Sequence, residues 1–421
     1  MKERSATRFL NVCILLILLS LVAAACVPAT PVVVEKQVVV TATPAPEEVA
    51  PPPPAAPPAP AEQGAPEGLQ ANLQKIKLPP GFKIELYAKV PGARSLAVGK
   101  PLPTVFVGSR QNTVHVVLDR NNDHIGDEVV AFDTGLNVPN GVAFSRKGFL
   151  YVAETDKIIA YAAAQFDPYK PIGPFTVYEG MPQYDLHGWR YLAVGPDDKL
   201  YVALGANCNV CDAEEPQGTI LQIGLTDDGL GTTGVDVYAR GIRNSVGMDW
   251  NPVTGDLFFT DNGADLMGDD IPADELNQAP QPGMHFGFPY YAGGHTKSNE
   301  FADQEPPEEV TFPAVEFQAH VAPLGIHFYR GDMFPAEYKN DAFVAQHGSW
   351  NRTVPVGYRI MRIRFDEKGQ PAGKEVFAEG FLEADGSAWG RPVDIKELPD
   401  GSLLVSDDFA GAIYRISYQG Q

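Results

Sequence analysis

Seven polar residues stand directly ahead of short apolar runs, and together their types could do chemistry. They are Arg94 in PGARSL, Asn140 in VPNGVAF, His187 in DLHGWRY, Arg243 and Asn244 in GIRNSVGMDW, His320 in QAHVAPLG and Arg391 in WGRPVDI. Three guanidiniums brought to one place would hold an anion, because arginine pairs with carboxylates and phosphates through parallel N–H bonds. A histidine beside them could take up a proton near neutral pH. Each residue alone has a plainer use: an arginine ties a strand to a neighbouring carboxylate, and a histidine satisfies a backbone group. The chemical reading therefore needs an element that gathers all of them.

A repeat supplies it. One unit recurs six times: an apolar strand, a turn, and a second strand ending in a small or polar residue. The second strands start near Val105, Leu150, Leu200, Leu257, Ala342 and Leu403, so the spacing runs from 45 to 85 residues. That is the range of propeller blades with insertions. Several units continue into a further strand, as in TVHVVLD, KIIAYAAA, GTILQIGL, YRIMRIRF and AIYRISY. The expectation is an all-β fold, a six-bladed β-propeller with four-stranded blades; the alternative is a pair of β-sandwiches. In a propeller the residues ahead of the innermost strands converge on the central axis. The interval from Asn262 to Pro323 exceeds a plain connection, and long loops on a rigid scaffold tend to carry function.

The rest of the 421-residue chain sets boundaries. Residues 1–26 carry Lys2, Arg4 and Arg8 ahead of an apolar run ending VAAAC. This is a signal peptide with a lipoprotein-type cleavage site, and a lipid anchor on Cys26 is expected. Residues 27–68 are rich in Pro and Ala and read as an extended tether. The folded domain is then 69–421. The formal net charge is −21, which argues against nucleic acid as a partner and suits an exported surface at the membrane. Cys208 and Cys211 in NCNVCD are too few for a structural zinc site, and a local disulfide is the expected state in an exported chain.

Several segments resemble one family. HGWRYLAVGPDDKLYVALG, GIRNSVGMDWNP, DNGADLMGDDIPADELN, HFGFPYYAG and GAIYRISY are similar to the glucose/sorbosone dehydrogenases, exported six-bladed propellers that use pyrroloquinoline quinone. The similarity spans Leu78 to Tyr418, and RSLAVG and HGSWNRT bring it nearer the sorbosone-type branch. The resemblance implies a sugar substrate, an external electron acceptor and a calcium ion beside the cofactor. It assigns His187 as general base, with hydride passing to the quinone. It assigns Arg243, Asn244 and Arg391 to the cofactor. Arg94 and His320 join that set by their positions, and Trp350 could stack on a planar ring. Gly263 and Ala264 would offer carbonyls to calcium, while Asp274 and Glu275 read as caps of a short turn. Glucose-type members carry an acidic residue directly before the histidine. Here that place is Leu186, with Asp185 one position earlier, so the imidazole's partner stays open. The cofactor-contacting lysine of those members has no clear equivalent; His347, Trp350 and Arg352 occupy its region.

A second calcium candidate is DRNNDHIGDE. Asp119, Asn121, Asp123 and Asp127 fall at positions 1, 3, 5 and 9 of a calcium loop, but position 6 is His124 and position 12 is Val130. The alternative is an acidic hairpin tip. Two rival functions remain at this stage: a calcium-dependent lactonase-like propeller, and a non-catalytic carbohydrate- or cofactor-binding surface protein.

Overall fold

A computed structural model describes residues 68–99, 104–162 and 167–420. The expected leader with Cys26, and the tether up to residue 67, lie outside them. Among the described residues no helix is long and apolar enough to cross a membrane.

The domain is a six-bladed propeller. Blade 1 runs Leu96–Gly99, Thr104–Val107, Thr113–Leu118 and Glu128–Thr134, each strand antiparallel to the next. The innermost strands of blades 2 to 6 are Gly141–Phe144, Tyr191–Val194, Gly247–Trp250, Pro323–Phe328 and Pro392–Glu397. They neighbour one another in cyclic order, and the sixth returns to the first. The ring closes through the chain's first strand, Phe82–Lys89, which pairs antiparallel with Ala412–Tyr418 as the outer strand of blade 6. This closure leaves no open seam between the first and last blades.

The six second strands fall where the repeat places them: Thr104–Val107, Phe149–Ala153, Leu200–Leu204, Leu257–Asp261, Ala342–Gln346 and Leu403–Asp407. They read as continuous apolar runs because both faces are buried. In Phe149–Ala153, Leu150 and Val152 pack toward blade 1, whereas Tyr151 and Ala153 pack toward blade 3. The core is accordingly divided into clusters lying between adjacent blades.

One expectation is corrected in the long interval. Asp274 and Glu275 do not cap a turn; they open the third strand of blade 4, Asp274–Ala279, and both are buried. DELNQA lacks the apolar pattern of its counterparts because its two carboxylates are buried on hydrogen bonds inside the protein, while Asn277 Oδ1 has no partner among the described residues. Asp274 accepts the Gly263 and Ala322 amides, and Glu275 accepts the Gly294 amide and the Asn277 side chain.

Candidate active site at one end of the axis

Antiparallel order within each blade puts the start of the inner strand, the end of the second and the start of the third at the same end. The residues ahead of the inner strands therefore meet the residues that follow the second strands. Side chains and backbone from all six blades form a hydrogen-bonded ring there. Arg94 of blade 1 donates from Nε to Asn140 Oδ1 of blade 2 at 2.8 Å, and Asn140 donates to the Arg190 carbonyl of blade 3. The Ala206 amide of blade 3 donates to the Arg243 carbonyl of blade 4. Asp274 of blade 4 receives the Ala322 amide of blade 5 at 2.9 Å. His347 of blade 5 bonds Asp408 of blade 6 through Nε2 at 2.8 Å, and Asp408 returns to Arg94 Nη1 at 2.6 Å.

His187 sits in this ring with φ 57°, in the left-handed region that few non-glycine residues adopt. His320 at the equivalent place in blade 5 has φ 65°, so the kink belongs to the architecture. Gly205 makes the seat possible, since a Cβ there would lie 2.6 Å from the His187 Cβ. The imidazole is buried, and its Nδ1 lies 2.7 Å from the Ala206 carbonyl. A carbonyl can only accept, so Nδ1 carries the hydrogen in the neutral ring and the Nε2 lone pair is left over. Burial, and then the charge of Arg243, push the His187 pKa down to about 3, so the ring is neutral at pH 7. Asp185 is exposed; the group that orients the imidazole is a backbone carbonyl.

The arginines differ in what they have left to give. A guanidinium has five N–H bonds. Arg243 donates from Nε to the Asn209 carbonyl, from Nη1 to the Asn262 carbonyl, and from Nη2 to Asn209 Oδ1 and Asp265 Oδ2. One Nη1 hydrogen is left. Arg391 donates from Nε and Nη2 to the His347 and Gly348 carbonyls, which leaves its Nη1 without a partner among the described residues. Arg94 is fully buried, and its Nη2 has no partner among the described residues. An orphaned buried donor on a charged group costs about 1–3 kcal/mol or more, which an anionic ligand would recover.

The other expected ligands divide. The Asn244 backbone is pinned, its amide bonding Asp261 and its carbonyl taking the Asn262 side chain, while its own side-chain amide makes no hydrogen bond among the described residues. The Gly263 and Ala264 amides are engaged with Asp274 and the Ala292 carbonyl, but their own carbonyls accept no donor among the described residues. Free oxygens of this kind suit a hard cation. His320 is occupied: its Nε2 faces the Gly268 and Ile271 carbonyls at 2.8 and 3.1 Å and so holds the 265–271 loop rather than offering itself to a ligand. Trp350 is 51% exposed on the adjoining loop, which Arg352 ties to the Asp269 carbonyl.

The 119–127 loop lies elsewhere. It joins the third and fourth strands of blade 1, at the opposite end of the blade from Arg94. Asp119 accepts the Asp123 and His124 amides, Asp123 the Ile125 amide, and Asp127 the Arg120 and Asn121 amides. Among the described residues no group of three or more His, Cys, Asp or Glu side chains gathers for a metal ion. Among the described residues the side chains of Asp119, Asn121, Asp123 and Asp127 accept amides of the turn itself.

Residue-type reasoning missed the second half of the ring. Asp408, Asn209, Asp261 and Asp265 all follow or end second strands, where the repeat shows only "a small or polar residue". Asp261 takes both the Arg243 and Asn244 amides; burial raises its pKa to about 6. Cys208 and Cys211 form the expected disulfide.

Comparison with known proteins gives a consistent family. Residues 273–419 match the TrAA12-like family model. An uncharacterized protein of Borreliella burgdorferi is 36% identical over 361 residues, which cover 82% of this chain and 91% of the relative. A pyrroloquinoline quinone-dependent sugar dehydrogenase of Hypocrea jecorina is 26% identical over 340 residues, covering 67% of this chain and 74% of the relative. Among solved structures, a calcium structure of a Trichoderma reesei carbohydrate-active enzyme of family AA12 superposes with a TM-score of 0.67. It is 23% identical and covers 82% of this chain and 97% of that one; this likeness shows the fold.

Proposed function

We propose, for a chain that belongs to the glucose/sorbosone dehydrogenase family, that it oxidises a sugar with pyrroloquinoline quinone and calcium and passes the electrons to an external acceptor. The observation that carries this reading is the uneven use of donors in the ring. Arg94 Nη2, Arg391 Nη1 and the Asn244 amide are unspent among the described residues, and these residues stand at the end of the axis that also holds a neutral imidazole.

The residues fit such a cofactor. Arg94, Arg391 and Asn244 would hold its carboxylates, and the Gly263 and Ala264 carbonyls would hold calcium. The bound group supplies an electrophilic carbonyl that accepts two electrons and a hydrogen as hydride. His187 does the proton work: its Nε2 lone pair takes the proton from the sugar hydroxyl as the C–H hydrogen leaves that carbon. The carbon is oxidised to a carbonyl. Ala206 fixes the tautomer that makes Nε2 the base, and burial keeps the ring neutral at pH 7. The sorbosone-type motifs favour a small sugar or sugar aldehyde. We extend the reading to export and a lipid anchor on Cys26, which rests on the leader sequence and is tested by fatty-acid labelling of wild type against Cys26→Ala.

The test is reconstitution. The purified domain, given quinone and calcium, should show a cofactor-dependent spectral change and reduce a dye with at least one aldose of a panel. No spectral change would sink the proposal. Cofactor binding without turnover on any sugar would favour the surface binding protein.

A further inference from the structure

The Cys208–Cys211 disulfide closes a very short loop between Leu200–Leu204 and Thr219–Leu225 of blade 3. Inside it stands Asn209, and nearly everything Asn209 has is spent on two residues of blade 4. Its carbonyl accepts Arg243 Nε at 2.9 Å, and its Oδ1 accepts Arg243 Nη2 at 2.8 Å. The same Oδ1 accepts the Asp265 amide at 2.8 Å, and its Nδ2 donates to the Asp265 carbonyl at 3.0 Å. Asp265 closes the triangle by accepting Arg243 Nη2 at 2.8 Å. The Asn262 carbonyl fixes one hydrogen of Nη1, so the direction of the other is set by the rest of this clamp.

We propose that the disulfide loop is the seat of Arg243, with Asn209 as a positioning residue that turns the last free guanidinium hydrogen toward the ligand. Opening the disulfide then weakens anion binding without dismantling the blade. The physical reason is choice. With Asn209 held, the guanidinium is fixed along two edges. With Asn209 loose, it is free to rotate onto Asp265, and a planar fork that pairs with a carboxylate satisfies itself. This also gives the C-x-x-C motif a use that a staple for stability alone does not require. The loop is far too small to bring much chain-entropy stabilisation, which grows with the length closed.

The inference rests on the reading that the site takes an anionic quinone, and its test separates the two. Four samples are compared: wild type, wild type reduced under native conditions, Asn209→Ala, and the double variant Cys208→Ser/Cys211→Ser. Each is titrated with pyrroloquinoline quinone in calcium buffer, melted thermally, and followed by amide hydrogen exchange over residues 261–266. Expected is a loss of affinity of about tenfold in the last three, the scale of one hydrogen bond to a charged group. Melting should stay near wild type, exchange over 261–266 should quicken, and kcat at saturation should be retained. Unchanged affinity in all three, or a loss that only tracks unfolding, overturns the proposal. If wild type itself binds no quinone, the functional reading fails and exchange decides the rest. Faster exchange on reduction keeps Asn209 as the seat of Arg243, and unchanged exchange removes it.

Discussion

The far end of the axial channel holds much the same kinds of side chain as the site end and uses them in the opposite way. A cavity of about 260 Å³ there is lined by inner-strand residues of all six blades. Asp249 receives Arg330 through two parallel bonds at 2.9 Å, Nη1 to Oδ2 and Nη2 to Oδ1, together with the Phe328 amide. His327 stands 3.4 Å from both Asp249 and Glu397, and Glu397 takes the Arg330 amide. Lys396 bonds Tyr191 and Asp394. Burial alone would raise Asp249, yet Arg330 and His327 hold it well below the usual carboxylate range. Charges in this cluster are spent on one another. At the site end, among the described residues, Arg94 Nη2 is orphaned, Arg391 Nη1 is open and His187 Nε2 has no donor. A cluster of ionisable groups therefore does not mark a site by itself; unspent hydrogen-bonding capacity does.

The comparison breaks first at His187. His187→Ala should lower turnover by about 10²- to 10⁴-fold, the usual worth of a positioned base. Quinone affinity and melting should stay near wild type, since the imidazole makes one bond, to Ala206. A turnover within twofold of wild type would remove it as the base. At the far end the expected loss is of another kind. Asp249→Ala strands the Phe328 amide and His327 and takes the partner of the partly exposed Arg330, a loss of about 1–3 kcal/mol. Chemical denaturation should report that loss, while turnover per folded molecule should hold. A selective fall in turnover would mean that the far cluster takes part in the chemistry.

Arg391→Ala sharpens the contrast among the arginines themselves. Two of its bonds only hold the His347 and Gly348 carbonyls, so the fold should survive. Quinone affinity should weaken about tenfold or more, the value of a charge-assisted bond. Arg243→Ala should hurt melting more, because it leaves Asp265 and buried carbonyls without their donor. Equal effects of the two on melting would erase the distinction between a guanidinium that holds the fold and one that does not.

A pH difference follows from the same seat. The unfolded imidazole titrates near 6.5 and the folded one near 3, so the unfolded chain takes up its proton first. The stability tied to neutral His187 is complete above about pH 6.5 and is lost as pH falls toward 3. At pH 5 the loss is about 2 kcal/mol for this group. Other buried groups titrate in the same window, Asp407 near 6 among them, so the readout is a difference. His187→Asn should lose about 2 kcal/mol less than wild type between pH 7 and pH 5. Parallel denaturation curves would show that the ring is not held neutral.

What the sequence made readable divides along a physical line. Second strands such as Leu200–Leu204 are buried on both faces, so their apolar runs stand out and give the blade count. The third strand of blade 4 does not stand out, because its carboxylates Asp274 and Glu275 are buried by hydrogen bonds from backbone amides and from the Asn277 side chain rather than among apolar surface. Closure by Phe82–Lys89 joins the two ends of the domain, and no local pattern announces a partner more than 300 residues away. The site was half readable for the same reason. His187 and the arginines interrupt a motif and draw notice. Asp408, Asn209 and Asp265 are ordinary residues at the ends of strands, and their importance comes only from what the other blades bring to them. His320 shows the reverse: its place in the motif equals that of His187, yet two carbonyls of the neighbouring loop have taken it.

The smallest expected effect tests the acidic turn at 119–127, at the same end of the blades as the far cluster. Asp123 makes no ion pair among the described residues; its Oδ1 accepts the Ile125 amide and its Oδ2 the Asn121 side chain. Removing one exposed turn acceptor costs about 0.5–1 kcal/mol. Asp123→Ala should therefore shift the melting temperature slightly and leave turnover unchanged. Calcium sharpens the point. If the turn is self-satisfied, added calcium should raise the melting temperature of wild type and Asp123→Ala by the same amount, through the carbonyls at Gly263 and Ala264. A calcium shift that shrinks in Asp123→Ala would show that the turn opens its carboxylates to the ion, and that unspent capacity exists at both ends of the blades.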